Sequence, residues 1–315
     1  MWLTVSDEIS KLAGFYPGAR PVEELIKCGF LILDKPSGPT SSTCVHWVKK
    51  ILGIKKAGHS GTLDPRTTGV LPILLGRATR LMPVLKNLDK EYVAVMHLHK
   101  NISQTELERV IKKFVGKIEQ IPPVRSAVKR KKRERTIYSI KIIDRAEKNV
   151  VIKVNCEAGT YIRKLIHQIG EKIGGAHMIE LRRTRVGTFI ENKSHSFQEL
   201  KDSFEFWKQN IEKNSIRRII LPPEIAVEHV PKIIVKDSAV FSLVHGSPLY
   251  ARGILKLEDS VKKDGITAIL SGNGELIGIG VAKLSAKDMI KAKSLCVKMD
   301  RILMKSTDIP ADISP

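Results

Sequence analysis

The chain has 315 residues, 42% of them apolar, with 54 lysines and arginines against 33 acids and a net charge of +21. That apolar share makes a folded protein the default, and the length leaves room for two cores. The charge exceeds what solubility needs and calls for a polyanion, either nucleic acid or an acidic membrane face. No apolar run approaches the roughly 18 residues of a membrane span, and residues 1–18 lack a basic-then-apolar leader, so an intracellular nucleic acid is the favoured partner.

Residues 1–22 read as an extension outside the first core, carrying Pro17 and Pro21. The apolar run Gly29 to Asp34 predicts a buried strand, and Lys35 stands at its end, in the stiff loop that Pro36 and Pro39 impose. Thr40, Ser41 and Ser42 offer caps for a helix over 43–52, closed by Gly53. The four cysteines (28, 44, 156 and 296) have no paired spacing, and Cys44-x-His46 alone does not make a metal site, so ordinary buried thiols are expected.

The stretch from Gly58 to Pro72 reads Gly-His-Ser-Gly-Thr-Leu-Asp-Pro-Arg-Thr-Thr-Gly-Val-Leu-Pro. Glycines 58, 61 and 69 permit tight backbone, and Pro65 biases Asp64 towards extended geometry, so one carboxylate projects from an ordered loop. On composition this is either a surface turn or a catalytic loop; the apolar run Val70 to Leu75 anchors it to something buried.

Ala78 to Leu85 reads as helix and Glu91 to Leu98 as a strand in which Tyr92 passes for a plain aromatic. Thr105-Glu-Leu-Glu108 predicts a capping box for a helix with Leu107, Val110, Ile111 and Phe114 on one face, ending at Gly116. Residues 124–135 then hold seven basic residues and one acid. A mobile basic loop closing on nucleic acid is preferred over a solvated loop or a localisation signal.

Val150 to Cys156 predicts a strand, Gly159 a turn, and Ile162, Leu165, Ile166, Ile169 and Ile173 a helical stripe. Arg163 falls in that helix's first turn, where a cation opposes the dipole, a placement that makes sense if a carboxylate or phosphate faces it. Met178 to Arg185 adds three cations around Leu181. After a helix-compatible stretch with Trp207, Pro222-Pro223 marks a boundary, and the glycine-punctuated β-rich runs beyond Pro231 predict a compact β domain of about seventy residues.

Asp34-Lys-Pro-Ser-Gly-Pro-Thr-Ser41, Gly58-His-Ser-Gly-Thr-Leu-Asp-Pro65, Lys90-Glu-Tyr92, Gly159-Thr-Tyr-Ile-Arg163 and Leu181-Arg-Arg-Thr-Arg185, in this order, resemble the TruB family of pseudouridine synthases, and within it the guide-directed, dyskerin-like branch. The resemblance implies a mixed α/β catalytic core around a central, mainly antiparallel sheet over residues 23–225, with the mobile basic loop at 124–136. A small β-barrel-like PUA domain would cover 231–304, with residues 1–22 packing on it and a short tail at 305–315. The PUA likeness rests on His245-Gly-Ser-Pro-Leu249, Gly253-Ile254, Lys263-Asp-Gly265 and Leu276-Ile-Gly-Ile-Gly280, with Ser247 and Arg252 departing from the usual residues.

By that resemblance Asp64 is the nucleophile, Arg163 its ion-pair partner, and Tyr92 the ring that stacks on the flipped base and helps in proton transfer. Lys35, His59 and Leu181 would bind substrate; Lys129, Arg130, Lys131, Lys132, Arg133, Arg182, Arg183, His245 and Gly246 would bind RNA. The isomerisation is redox-neutral, so neither metal nor organic cofactor is expected. Implied partners are a box H/ACA guide RNA, substrate rRNA or tRNA, and three small core proteins: a zinc-ribbon-like one, a β-barrel one contacting the basic loop, and a kink-turn binder. The alternatives are the branch that acts alone on the tRNA T-loop and, behind it, a non-catalytic RNA-binding scaffold, against which the trio Asp64, Tyr92 and Arg163 argues. The Gly175-Ala-His-Met178 segment and the PUA likeness favour the guided branch, and the missing lysine-rich tail an archaeal-type cytoplasm over a nucleolus.

Overall fold

Along Lys90–Leu98 every second residue is buried, the alternation of a strand with one face on a core. In the computed structural model, which describes residues 1–6, 16–122, 131–212 and 214–306, this strand lies at the centre of a nine-stranded sheet. From one edge its main path runs Phe30–Lys35, Thr68–Leu75, Ala176–Val186, Lys90–Leu98, Asn149–Cys156, Arg133–Ala146 and Gly116–Gln120. Ala57–His59 adds to Thr68–Leu75, and Phe189–Ile190 to Ala176–Val186. All pairings are antiparallel except Thr68–Leu75 against Ala176–Val186, so the sheet is of the mixed, mainly antiparallel kind expected.

Helices Ser41–Leu52, Gln104–Lys112 and Ile162–Ile173 lay their apolar stripes on this sheet and close the first core. The first starts two residues before the expected position because Thr40 is the cap, its hydroxyl accepting from the Thr43 amide at 3.0 Å. The expected capping box at Thr105 is not the one used. Ser103 caps Gln104–Lys112, accepting from the Glu106 amide at 3.2 Å, and Thr105 lies inside the helix. The basic stretch also ends sooner than 136: residues 133–136 are already strand, paired with residues 117–120 and held by cross-strand Lys117–Glu134 and Lys132–Glu119 ion pairs.

The second sheet has seven strands in the order Trp2–Thr4, Ile254–Glu258, Lys232–Val235, Ile266–Leu270, Leu276–Ala282, Leu295–Ile302 and Leu249–Tyr250, around its own core. The first residues of the chain are thus an edge strand of its last sheet. A third apolar cluster, with Phe30, Val70 and Leu74 on one side and Ala268, Leu276 and Leu303 on the other, joins the two units. Beside it Arg20 forks onto Glu224 at 2.9 and 3.0 Å and reaches Glu275 at 3.1 Å. The four cysteines are free and buried. Among the described residues no helix is long and apolar enough to cross a membrane.

Candidate active site

The loop that carries Asp64 connects Ala57–His59 to Thr68–Leu75, and it is fixed from below by side chains far away in sequence. Lys35 is fully buried and donates to the carbonyls of Pro36, Pro65 and Thr67 at 2.8 to 2.9 Å. Ser41 Oγ both accepts from the Leu63 amide at 2.9 Å and reaches the Leu63 carbonyl. The Gly38 amide donates to Pro65 O, and Thr67 N closes a turn onto Asp64 O. Gly69 has φ +101, and a Cβ there would stand 2.2 Å from the Arg183 carbonyl, so only glycine allows the parallel approach of the two strands at the loop's exit.

Arg163 reaches this loop from the second position of helix Ile162–Ile173. Gln120 sets that helix start with a two-way amide clamp: its Nε2 donates to Tyr161 O at 3.1 Å and its Oε1 accepts from Tyr161 N at 2.9 Å. Arg163 Nη2 then donates to Asp64 Oδ2 at 2.7 Å. The two side chains are 59% and 56% exposed, and an ion pair that open to water contributes only about 0–1 kcal/mol to folding. Stability therefore does not explain a rigid loop, a clamped helix start and a cation against the dipole. An oriented carboxylate facing solvent does, since it is what a nucleophile for a large outside substrate needs.

Behind the pair the structure departs from several expectations. Tyr92, 9% exposed, stands inward on its strand, directly across from Arg183 on the next. Burial raises its pKa, and the Arg183 guanidinium opposes the rise. Arg183, expected among the RNA contacts, is instead 1% exposed and donates to Val70 O at 2.8 Å and Gly61 O at 3.1 Å. Leu181 is half-buried and packs on the first core, and the period of two puts Arg183 on its face. Lys35, expected to touch substrate, is out of reach beneath the loop, and burial lowers its pKa. His59 is half-buried, and its Nδ1 lacks a partner among the described residues. Burial, then the charge of Arg183, lowers its pKa, which keeps the ring neutral near pH 7.

Comparison with known proteins places this arrangement. The family described as "TruB family pseudouridylate synthase (N terminal domain)" matches residues 49–162, "tRNA pseudouridylate synthase B C-terminal domain" residues 163–228, "PUA domain" residues 231–303 and "DKCLD (NUC011) domain" residues 1–45. A relative from Methanopyrus kandleri, "Probable tRNA pseudouridine synthase B", is 47% identical over 299 residues, 94% of this chain and 88% of that protein. The chain belongs to the TruB family of pseudouridine synthases. Among solved structures, a chain of "Structure of H/ACA RNP bound to a substrate RNA containing 2'-deoxyuridine" aligns at TM-score 0.91 with 41% identity, covering 98% of this chain and 96% of that one. A chain of "Crystal Structure of a Cbf5-Nop10-Gar1 Complex" does so at 0.91 and 42%, covering 98% and 95%.

Within this TruB-family chain the remaining cations divide by what already holds them. Arg182, expected to contact RNA, is engaged at home: its fork holds Asp34 at 3.0 and 3.0 Å, and its Nε holds Glu191 at 2.8 Å. Lys131 and Lys132 are exposed, Lys132 already paired with Glu119, and Arg133 opens its strand. Lys129 and Arg130 lie outside the described residues. His245 and Gly246 stand exposed at the end of helix Asp237–Val244, with His245 Nδ1 2.9 Å from Phe241 O and Gly246 at φ +92. Sequence reasoning missed Ser41, Lys90, Gln120 and the inward turn of Arg183. Only the last left a signal, its shared strand face with Leu181.

Proposed function

We propose that the protein isomerises uridines in RNA with Asp64 as nucleophile, Arg163 orienting its carboxylate and Tyr92 meeting the flipped base. In this reading it is the catalytic subunit of a box H/ACA ribonucleoprotein, placed by a guide RNA on rRNA together with three small core proteins, two of the kinds named Nop10 and Gar1, in an archaeal-type cytoplasm. The observation that carries the reading is the 2.7 Å Asp64–Arg163 pair, solvent-facing on a loop with a buried base. The likeness along 98% of the chain to a chain of an H/ACA RNP bound to a substrate RNA supports the guided form. Extracting a uridine costs a few kcal/mol, which stacking on Tyr92 and basic contacts would offset.

Reconstitution of the ribonucleoprotein with and without guide RNA, reading pseudouridine directly, tests this. Asp64→Asn should bind RNA within about twofold of the parent and lose turnover by at least about a thousandfold; retained turnover would remove Asp64 from its role. A second reading, a tRNA T-loop enzyme working alone, is motivated by the word tRNA in the relative's name. Guide-independent activity on an isolated T-loop stem would decide for it.

A further inference from the structure

Three cations beneath the Asp64 loop have no carboxylate partner among the described residues. Lys35, Lys90 and Arg183 are 0%, 5% and 1% exposed. Lys90 donates to the carbonyls of Lys86, at 2.8 Å, and Leu88; Lys35 and Arg183 likewise bond backbone carbonyls. Keeping charges out of water without counter-ions costs several kcal/mol each after relaxation, and carbonyl dipoles recover part of it. Lys35 has a local task, since it ties the Asp64 loop. Lys90 and Arg183 converge elsewhere: a Cβ on Gly61 would lie 3.6 Å from Arg183 Nη1 and 4.0 Å from Lys90 Cε. Lys90 and Tyr92 stand two apart on the inward face of one strand, with Arg183 opposite Tyr92 on the next.

We propose that Lys90 and Arg183 are positioning residues that stabilise negative charge on the Tyr92 oxygen, so that this tyrosine gives and recovers the proton which the isomerisation moves. The proposal rests on the function proposed above. The reaction breaks N1–C1′, makes C5–C1′ and carries one proton from C5 to N1, with no net change of oxidation state. A phenol that donates its proton to N1 of the detached base becomes a phenolate. The same oxygen then takes the proton from C5 once the new bond exists, which restores Tyr92 and leaves pseudouridine. Burial alone opposes the phenolate between these steps. A guanidinium opposite the tyrosine on the next strand and an ammonium on the same strand face supply the opposing field at no cost of reorganisation, the logic of preorganised electrostatic stabilisation.

Lys90 makes the idea measurable, because burial, then the charge of Arg183, pushes its pKa down to about 8, against the weaker upward pulls of Cys156 and Asp89. Single-turnover rates of the reconstituted particle should fall above about pH 8 as the ammonium is lost. Lys90→Arg keeps its charge throughout and should move that falling limb up by at least about one pH unit. Lys90→Met should lower turnover at pH 7 by about tenfold to a hundredfold with RNA affinity unchanged, and should add nothing in a Tyr92→Phe background. An unmoved limb in Lys90→Arg, or Lys90→Met losses that multiply with those of Tyr92→Phe, would make Lys90 only a cap for Lys86 and Leu88. If Asp64→Asn abolishes turnover in the same assays, such results overturn this inference and leave the proposed function standing.

Discussion

Asp64 and Arg163 are bound by one hydrogen bond of 2.7 Å in a place where water competes for both. The pair is therefore weak for folding and decisive for direction. Arg163→Ala should shift the melting midpoint by less than about 3 °C, because an exposed pair is worth about 0–1 kcal/mol. The same variant should lower turnover by at least about a hundredfold with RNA affinity near the parent's, since an unoriented carboxylate loses its near-attack geometry. Melting and single-turnover assays side by side check this, and a loss of RNA binding larger than the loss of turnover would return Asp64 to the status of a turn residue. At this scale the sequence was legible where a residue lacked a local reason, as Arg163 did at the wrong end of a helix dipole. It was not legible where the reason lay across the sheet. Nothing near Lys35 announces that its ammonium will be spent on the carbonyls of Pro65 and Thr67, and the density of arginines at 182–185 reads as surface until the strand's period is put in phase with Leu181.

Among the elements, the strand Arg133–Ala146 corrects the extent of the basic loop and sharpens what each cation can do. Lys131 is exposed and outside the strand; Lys132 is exposed but already answers Glu119. Neutralising Lys129, Arg130, Lys131, Lys132 and Arg133 together should weaken RNA binding and flatten its dependence on log salt by about 0.7 for each single-strand phosphate that the segment no longer neutralises. Singly, Lys131→Gln should change the slope more than Lys132→Gln. An unchanged slope in the fivefold variant would assign the segment to a protein partner instead. Periodicity located the strands at 30–35, 90–98 and 149–156 and the helices at 41–52, 104–112 and 162–173, because amphipathic alternation survives without tertiary knowledge, but it left Thr68–Leu75 and Ala176–Val186 unassigned. Caps and ends moved by two or three residues: Ser103 competes with Thr105 for one helix start, and cross-strand ion pairs extend a strand into a run that composition alone reads as loop.

Across the whole molecule the two sheets are joined through a shared apolar cluster and one guarded ion pair network. Arg20, in the segment before the first sheet, holds Glu224 from the connecting region and Glu275 from the second sheet, all three nearly buried. Burial works against that guanidinium's charge, and the hydrogen bonds of Glu224 and Glu275 more than restore it, so its pKa is raised. Arg20→Ala removes the cation that two nearly buried carboxylates share and should cost about 3 kcal/mol, lowering the melting midpoint by roughly 6–12 °C. Calorimetry checks this; a shift below about 2 °C would mean the apolar cluster alone holds the joint. The joint could not be read from the sequence, since its residues come from three distant stretches.

The strand Trp2–Thr4 is made long before the strand it pairs with. Its partner, Ile254–Glu258, leaves the ribosome about 250 residues later, which at about 5–20 residues per second is a delay on the order of ten to fifty seconds. Through that interval the leading strand has an open edge, and the catalytic sheet can form without it. The second sheet gains this edge only when residues 2–4 meet residues 256–258, so a nascent chain stalled before residue 254 holds an unsatisfied β-strand that chaperones or neighbouring polysomes can capture.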